Sequence, residues 1–330
     1  MIGLERVSCA LNHKEGDRCP YYVWVFGQPG VSEEINERFG SFDAFADALD
    51  LDLIQAFPAG GPCDPSQYPA DQVSHDPTFG RIIPLDVALD VPFGDPHRDA
   101  MYNPLRHAVE HDKGRRGRAV FVQTPGVFEA ANGWLGLQEH LMALALEPER
   151  VAAFYERIAD WSVAYIDHCA ELGVDCIHVS DDWGMQSGLM FRPEVWEQYI
   201  RPATARIADA ARRHGLWLSL HSDGDISSLL PQVLELGFHC CHPLQESAGV
   251  DITAVKRDYG DRLTMYGGLD IQNTLGRLDR EAVAAEIRRV MRTVKPGGGA
   301  IFCTSHMVQP GTPIDDVLAA YEVVREESWY

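Results

Sequence analysis

From residue 147 onward the apolar positions switch repeatedly between a helical period and short β-branched runs. Residues 147–172 (EPERVAAFYERIADWSVAYIDHCAEL) carry apolar side chains at helical spacing, with Gly173 placed as a C-terminal stop. Residues 174–179 (VDCIHV) then read as a short strand. The next helix spans 193–214, opened by Pro193 and closed by Gly215. A strand at 216–220, a helix at 226–236 ended by Gly237, and a strand at 238–244 follow. The chain finishes with a short helix at 252–259, a strand at 262–266, a helix at 280–294, a strand at 300–304 and a helix at 313–327.

Helix and strand alternate without a hairpin signal, which implies parallel strands joined by crossover helices. An open doubly wound sheet and a closed barrel both satisfy that pattern. No glycine-rich dinucleotide fingerprint follows any strand, and PGGG at 296–299 precedes a strand instead of opening a helix. Earlier strands at 21–26, 51–56 and 119–123 bring the count to eight. The expected fold is therefore α/β, a (β/α)8 TIM barrel spanning residues 1–330 as a single domain. Residues 57–103 break the rhythm. They are rich in proline, glycine and aspartate, with a small hairpin expected over 79–89, and an insertion this long reads as a lid or binding loop contributing to a substrate pocket.

Composition narrows the partners. The chain has 330 residues, 45% hydrophobic and 23% charged, enough apolar material for a large core. With 49 acidic against 28 basic residues, its net charge of -21 repels phosphate backbones and anionic lipid. Nucleic-acid and membrane-surface binding are not expected; a small-molecule substrate is, and a local pocket field still permits an anionic one. No apolar run of about 18 residues exists, and the opening MIGLERVSCALNHKEGDR lacks the order of a secretion signal. The eight cysteines are scattered with no CxxC pair, so reduced core thiols in a cytoplasmic protein are expected.

In a barrel the chemistry gathers at the C-terminal strand ends. Those ends read, in chain order, Thr124 to Glu129, then Ser180-Asp181-Asp182-Trp183, then His221-Ser222-Asp223-Gly224. His242 with Gln245 and Glu246, then Gly267-Gly268-Leu269-Asp270, and finally Cys303, Ser305 and His306 complete the rim. Five of the six places offer a carboxylate and three offer histidine. Asp182 suits proton transfer or cation binding, with helix capping as the plain alternative for such a residue. His221 and Asp223, two apart at a strand end, point to one side and can share a metal. Asp225 or Ser222 suits the cap of the helix that follows. Cys303 and His306 extend a zinc-type donor set, though a buried cysteine is often only an apolar filler.

Several stretches resemble the uroporphyrinogen decarboxylase superfamily: ERVSCALNHKEGDRCP, PGVFEAANGWLGLQEHLMALALEPERV, SDDWGMQSGLMFRPEVWEQYIRP, HSDGDISSLLPQVLELGFHCCHPLQ, YGGLDIQNTL and GGGAIFCTSHMVQPGTP. They cover nearly the whole chain in family order, and the resemblance implies a single (β/α)8 barrel. The true decarboxylases resemble one another in an arginine-rich N-terminal segment, whereas the matching stretch here, YYVWVFGQPG, has no arginine. That departure argues against a porphyrinogen substrate and toward the cobamide-dependent methyltransferase branch. The branch's zinc site, an H-x-C pair with a distant cysteine before a PxTP-like turn, maps onto His221-x-Asp223 and onto His306, with Cys303 three residues earlier. Both thiolate positions depart from the pattern, leaving a harder donor set suited to zinc or another divalent ion.

The expected activity is metal-activated methyl transfer from a small methylated or methoxylated compound to a corrinoid carried by a partner protein. His221, Asp223, Cys303 and His306 are the metal candidates, and Asp182, His221, Glu246 and His306 the catalytic ones. Phe128, Trp134, Trp183, Gln245 and Asp270 are the candidates for substrate contact, and a homodimer is the assembly such barrels suggest. A cofactor-free decarboxylase or lyase on a small anionic substrate is the alternative, with Asp182, His221 and His306 as protonation groups. A non-enzymatic binding protein that keeps the barrel as a ligand cup is the third reading.

Overall fold

The computed structural model describes residues 1–25 and 29–330. One curled parallel sheet is built from β1 (Leu53–Ala56), β2 (Ala119–Pro125), β3 (Cys176–Ser180), β4 (Trp217–His221), β5 (Cys240–His242), β6 (Thr264–Leu269) and β7 (Ala300–Thr304). Each strand pairs with the next in the chain, so the order never reverses. A doubly wound sheet needs such a reversal. The fold is α/β and TIM-barrel-like.

The eighth strand expected over 21–26 is present only as a single parallel bridge between Tyr21 and Phe302. Residue 26 lies outside the described residues. The segment before it still touches both sheet edges: Tyr22 N–H donates to the Phe302 carbonyl at 2.9 Å, and Asp52 N–H to the Tyr21 carbonyl at 3.2 Å. The missing ladder has a local cause. The Tyr21 N–H donates to the Asp52 carboxylate at 3.0 Å and the Trp24 N–H to the Thr304 hydroxyl at 3.1 Å, so side chains satisfy amides that a ladder would use.

The strands are buried on both faces, β1 and β7 at every position, as helix-covered parallel strands must be. The long helix Pro148–Leu172 has proline in its first turn and Gly173 in the left-handed region at its end (φ 86°). It buries Val151, Phe154, Tyr155 and Ile158 on the face toward the sheet. The helix expected at 193–214 is broken instead. A π-helical stretch, Trp196–Ile200, separates Pro193–Val195 from Arg201–Arg213. Pro202 explains the break, since it has no N–H and its ring displaces the carbonyl four residues earlier.

Within residues 57–103, Ser74–Asp76 pairs antiparallel with Gly80–Ile82, and Leu85–Ala88 forms a helical turn. The hairpin therefore begins before 79, and helix takes over where its second strand was expected. Arg157 pins this region by donating to the carbonyls of Ala88 at 2.8 Å and Val91 at 2.9 Å. All eight cysteines are free. Among the described residues no helix is long and apolar enough to cross a membrane.

Candidate metal and acid site

Parallel register sets the site. Ser180 lies beside His221, and His221 beside His242, across β3, β4 and β5. Same-facing neighbours on adjacent strands must meet, and the two imidazoles do so Nδ1 to Nδ1 at 2.8 Å. The other nitrogen of His242, Nε2, lies 3.0 Å from the Thr304 carbonyl, which can only accept. A neutral His242 therefore donates from Nε2 and accepts at Nδ1. His221 must then donate from its own Nδ1, which leaves its Nε2 lone pair bare. Burial holds both rings well below the usual histidine pKa, and each neighbouring imidazole adds to that effect. Trp24 packs against His221 and His306, with ring centres 5.2 and 4.9 Å away.

The bare Nε2 of His221 faces carboxylates, 3.7 Å from Asp182 Oδ1 and 3.8 Å from Asp223 Oδ1. His306 Nε2 lies 3.8 Å from Asp223 Oδ2. The turn after His221 is tied down residue by residue. Ser222 Oγ accepts the Trp183 N–H at 2.9 Å, Asp182 accepts the Asp223 N–H at 2.8 Å, and Gln245 Oε1 accepts the Gly224 N–H at 3.0 Å. Gly224 has φ 80°, and a Cβ there would fall 2.5 Å from the Gly184 backbone. Only glycine fits that position. The two-residue strands Gly184–Met185 and Gly188–Leu189 form the small hairpin that presses on it. Asp225 accepts the Ser227 N–H at 2.9 Å in a local turn, but the residue at the N-cap of the next helical turn is Ile226, so neither Asp225 nor Ser222 is the helix cap the sequence suggested.

A second layer of acid groups stands behind Asp182. Glu129 accepts the Ser180 hydroxyl at 2.8 Å, and its own N–H donates to Asp181 at 2.7 Å. Burial, reinforced by the Asp182 charge, pushes the Glu129 carboxyl up to about 8. Burial likewise lifts Asp181 and Asp223 to about 7, and Asp182 above its usual range. Four carboxyl groups this close cannot all ionise at neutral pH. The site thus holds protons where an exposed carboxylate would have none.

Among the expected residues, the structure brings together Asp182, His221, Asp223, His306 and Gln245. Asp223, Gln245, Gln272, Arg277, His306 and Gln309 line a cavity of about 330 Å³. Cys303 is set apart: it is fully buried, and among the described residues its sulfur belongs to none of the donor groups close enough to share an ion. Glu246 pairs instead with Arg289 at 2.5 Å. Both oxygens of Asp270 accept backbone N–H groups, of Gln272 and Asn273, so that carboxylate fixes a turn. Phe128 packs on His140 and Phe191, Trp134 on Phe93 and Phe154, and Trp183 on Trp196. These three aromatic rings belong to the core, and the 57–103 insertion supplies none of the residues around this cavity. A cavity of about 420 Å³ beside Leu135 and Met142 shares no residue with the site.

Sequence reading missed Glu129, His242 and Trp24. Glu129 and His242 stood in strand-end stretches and lacked only a partner to single them out. Trp24 lay in a segment read as plain strand, and no local signal marked it.

The donor atoms of His221, Asp223 and His306 all lie within 4.8 Å of one another. Tetrahedral zinc at its usual bond lengths holds its ligand atoms about 3.3–3.4 Å apart, so small side-chain rotations close the set. Asp223 Oδ1 is buried without a hydrogen-bond partner, which a cation would satisfy. The residues fit a divalent ion. Fold and site together define a TIM-barrel-like protein whose strand ends carry a histidine–carboxylate centre.

A family model described as uroporphyrinogen decarboxylase matches residues 130–327, and the chain belongs to that family. A uroporphyrinogen decarboxylase from Coxiella burnetii is 23% identical over 98% of this chain and 95% of its own length. One from Anaeromyxobacter dehalogenans is 25% identical, but the match covers 62% of this chain and only 56% of that relative. Among solved structures, a methyltransferase from Methanosarcina mazei superposes with a TM-score of 0.69 over 99% of both chains at 15% identity, a likeness of fold.

Proposed function

We propose that this chain is the methyltransferase of a corrinoid-dependent demethylation system, removing a methyl group from oxygen in a small methylated compound. The observation that carries the reading is the orientation of His221: its Nε2 lone pair is fixed toward Asp223 and His306 by the hydrogen bonds through His242 to Thr304. Metal-ligating histidines are typically held this way by a partner on the other ring nitrogen. His221, Asp223 and His306 would hold the ion, zinc by expectation, and it would supply Lewis-acid polarisation of the substrate oxygen. The acceptor is a corrinoid on a separate protein. As the O–CH3 bond breaks, the oxygen left behind needs a proton. Glu129, raised to about 8, is protonated at neutral pH and stands behind Asp182 at the same rim. Trp24, packed on His221 and His306, would shield the two rings from water.

Elemental analysis of the purified protein tests the reading. About one divalent ion per chain is expected, falling in His221→Ala and His306→Ala. Metal well below one per chain, unchanged in His221→Ala, sinks it. The raised carboxyl groups favour a second reading, a metal-independent lyase that uses them to protonate a carbanion. Turnover that survives strong chelation and ignores a methylated corrinoid would establish that alternative.

A further inference from the structure

Arg277 lines the same cavity as Asp223 and His306, on the turn that follows β6. Its guanidinium makes no ion pair and no hydrogen bond among the described residues. Most other arginines of this chain do, including its neighbours Arg280, on Asp316, and Arg289, on Glu286. In a chain of net charge -21, an arginine left unpaired beside a cavity is conspicuous, because carboxylates are plentiful. Among the described residues it is also the one arginine or lysine around this cavity.

The turn that carries it is anchored. Both Asp270 oxygens hold backbone amides, and the Leu275 N–H donates to the Asp270 carbonyl at 2.9 Å. Thr274 and Leu275 are buried. Gly276, with φ 74°, passes so close to Thr312 that a Cβ would sit 2.6 Å from its hydroxyl. Arg277 is thus exposed at its tip and rooted at its base, with Gln272 and Gln309 amides around the same space. A guanidinium offers five donors in a planar fork that matches a carboxylate in two-point contact.

We propose that Arg277 is the specificity-determining residue of this cavity and that the substrate class is a small carboxylic acid. Its carboxylate lies on Arg277 while its reacting end lies toward Asp223 and His306. The arrangement answers an electrostatic problem. The chain's net charge of -21 repels an anion at a distance, and a substrate carrying one enters only where a fixed cation meets it at the mouth. The proposal rests on this cavity being the substrate cavity of the function above. It does not depend on methyl transfer.

The test is binding, read by calorimetry on the full chain with matched probes: methoxyacetate and 3-methoxybenzoate, each against its neutral primary amide. The acids are expected to bind on the order of tenfold or more better than the amides, the range of a charge-assisted two-point contact. Arg277→Gln abolishes the preference, Arg277→Lys restores part of it, and added salt weakens the acids in the wild type only. The Arg277 side chain has no partner to lose among the described residues, so both variants should fold, and an unchanged thermal transition checks this. The preference must survive His221→Ala and chelation, which separates Arg277 from an anion bound to metal. Acids that bind no better than amides, or a preference unchanged in Arg277→Gln, overturn the proposal. Arg277-dependent binding without demethylation of any probe would overturn the methyltransferase reading and leave this one standing.

Discussion

Replacing His242 with leucine isolates what orients His221. His242 accepts from His221 Nδ1 at 2.8 Å and donates to the Thr304 carbonyl at 3.0 Å, and nothing else in the site fixes which His221 nitrogen carries the proton. Leucine fills similar space and can do neither. The His221 N–H then has no acceptor in a buried setting, which costs about 1–3 kcal/mol of stability. Ring orientation and tautomer are freed as well, and loss of such a supporting partner weakens metal binding about 10–100-fold. His242→Gln offers an amide oxygen to His221 and an N–H to Thr304, so it should recover part of the loss. Zinc titration against a competing chelator gives the affinity, and urea unfolding gives the stability. A folded His242→Leu variant that binds zinc as tightly as the wild type would refute the argument, because His221 would then need no partner to present Nε2.

Two further outcomes follow from burial around the rim. Glu129 is protonated in the folded chain up to about pH 8 but ionises near its ordinary pKa when unfolded, so the folded state holds the extra proton between those values. Its contribution to stability is complete below the unfolded pKa and lost as pH rises toward 8; Glu129→Gln should flatten that part of a stability profile measured by urea unfolding, and an unchanged slope would count against the raised carboxyl. Cys303 is fully buried and outside the His221, Asp223 and His306 donor group, so Cys303→Ala should lose about 1–2 kcal/mol for the small void while keeping its metal content by elemental analysis. Metal lost along with the sulfur would return Cys303 to the ligand set.

The alternation of helix and strand was legible because each element has its own apolar period, and the parallel order followed from it. Helix ends at Gly173 and strand β7 fell where the residues placed them. The segment around Tyr21 was not legible as an isolated bridge, because its fate depends on Asp52 and Thr304, side chains distant in sequence that take its amides. The same logic divides the site. His221 and Asp223 stand two apart, so their shared side is a local property. His242 gains meaning only from lying beside His221 across the sheet, and register is not written in either strand alone. Cys303 shows the opposite case: its residue type suggested a ligand, but on β7 it is wholly buried and its sulfur lies outside the His221, Asp223 and His306 donor group.

The donor set bears on which atom loses the methyl group under the proposed function. Two neutral imidazoles and one carboxylate leave a divalent ion with net positive charge, where a pair of thiolates would cancel it. A site of that kind favours a hard oxygen over sulfur as the ligand it polarises. An alkoxide is a poorer leaving group than a thiolate, so oxygen also raises the demand for a proton at the moment the bond breaks. The acid groups meet that demand. Glu129 holds a proton near neutral pH because burial and the Asp182 charge disfavour its ionised form, against the opposing hydrogen bond from Ser180 that fixes the side chain. Under the proposed function, replacement of the expected thiolates and the cluster of protonated carboxyl groups both favour cleavage of a carbon–oxygen bond with proton delivery to the oxygen.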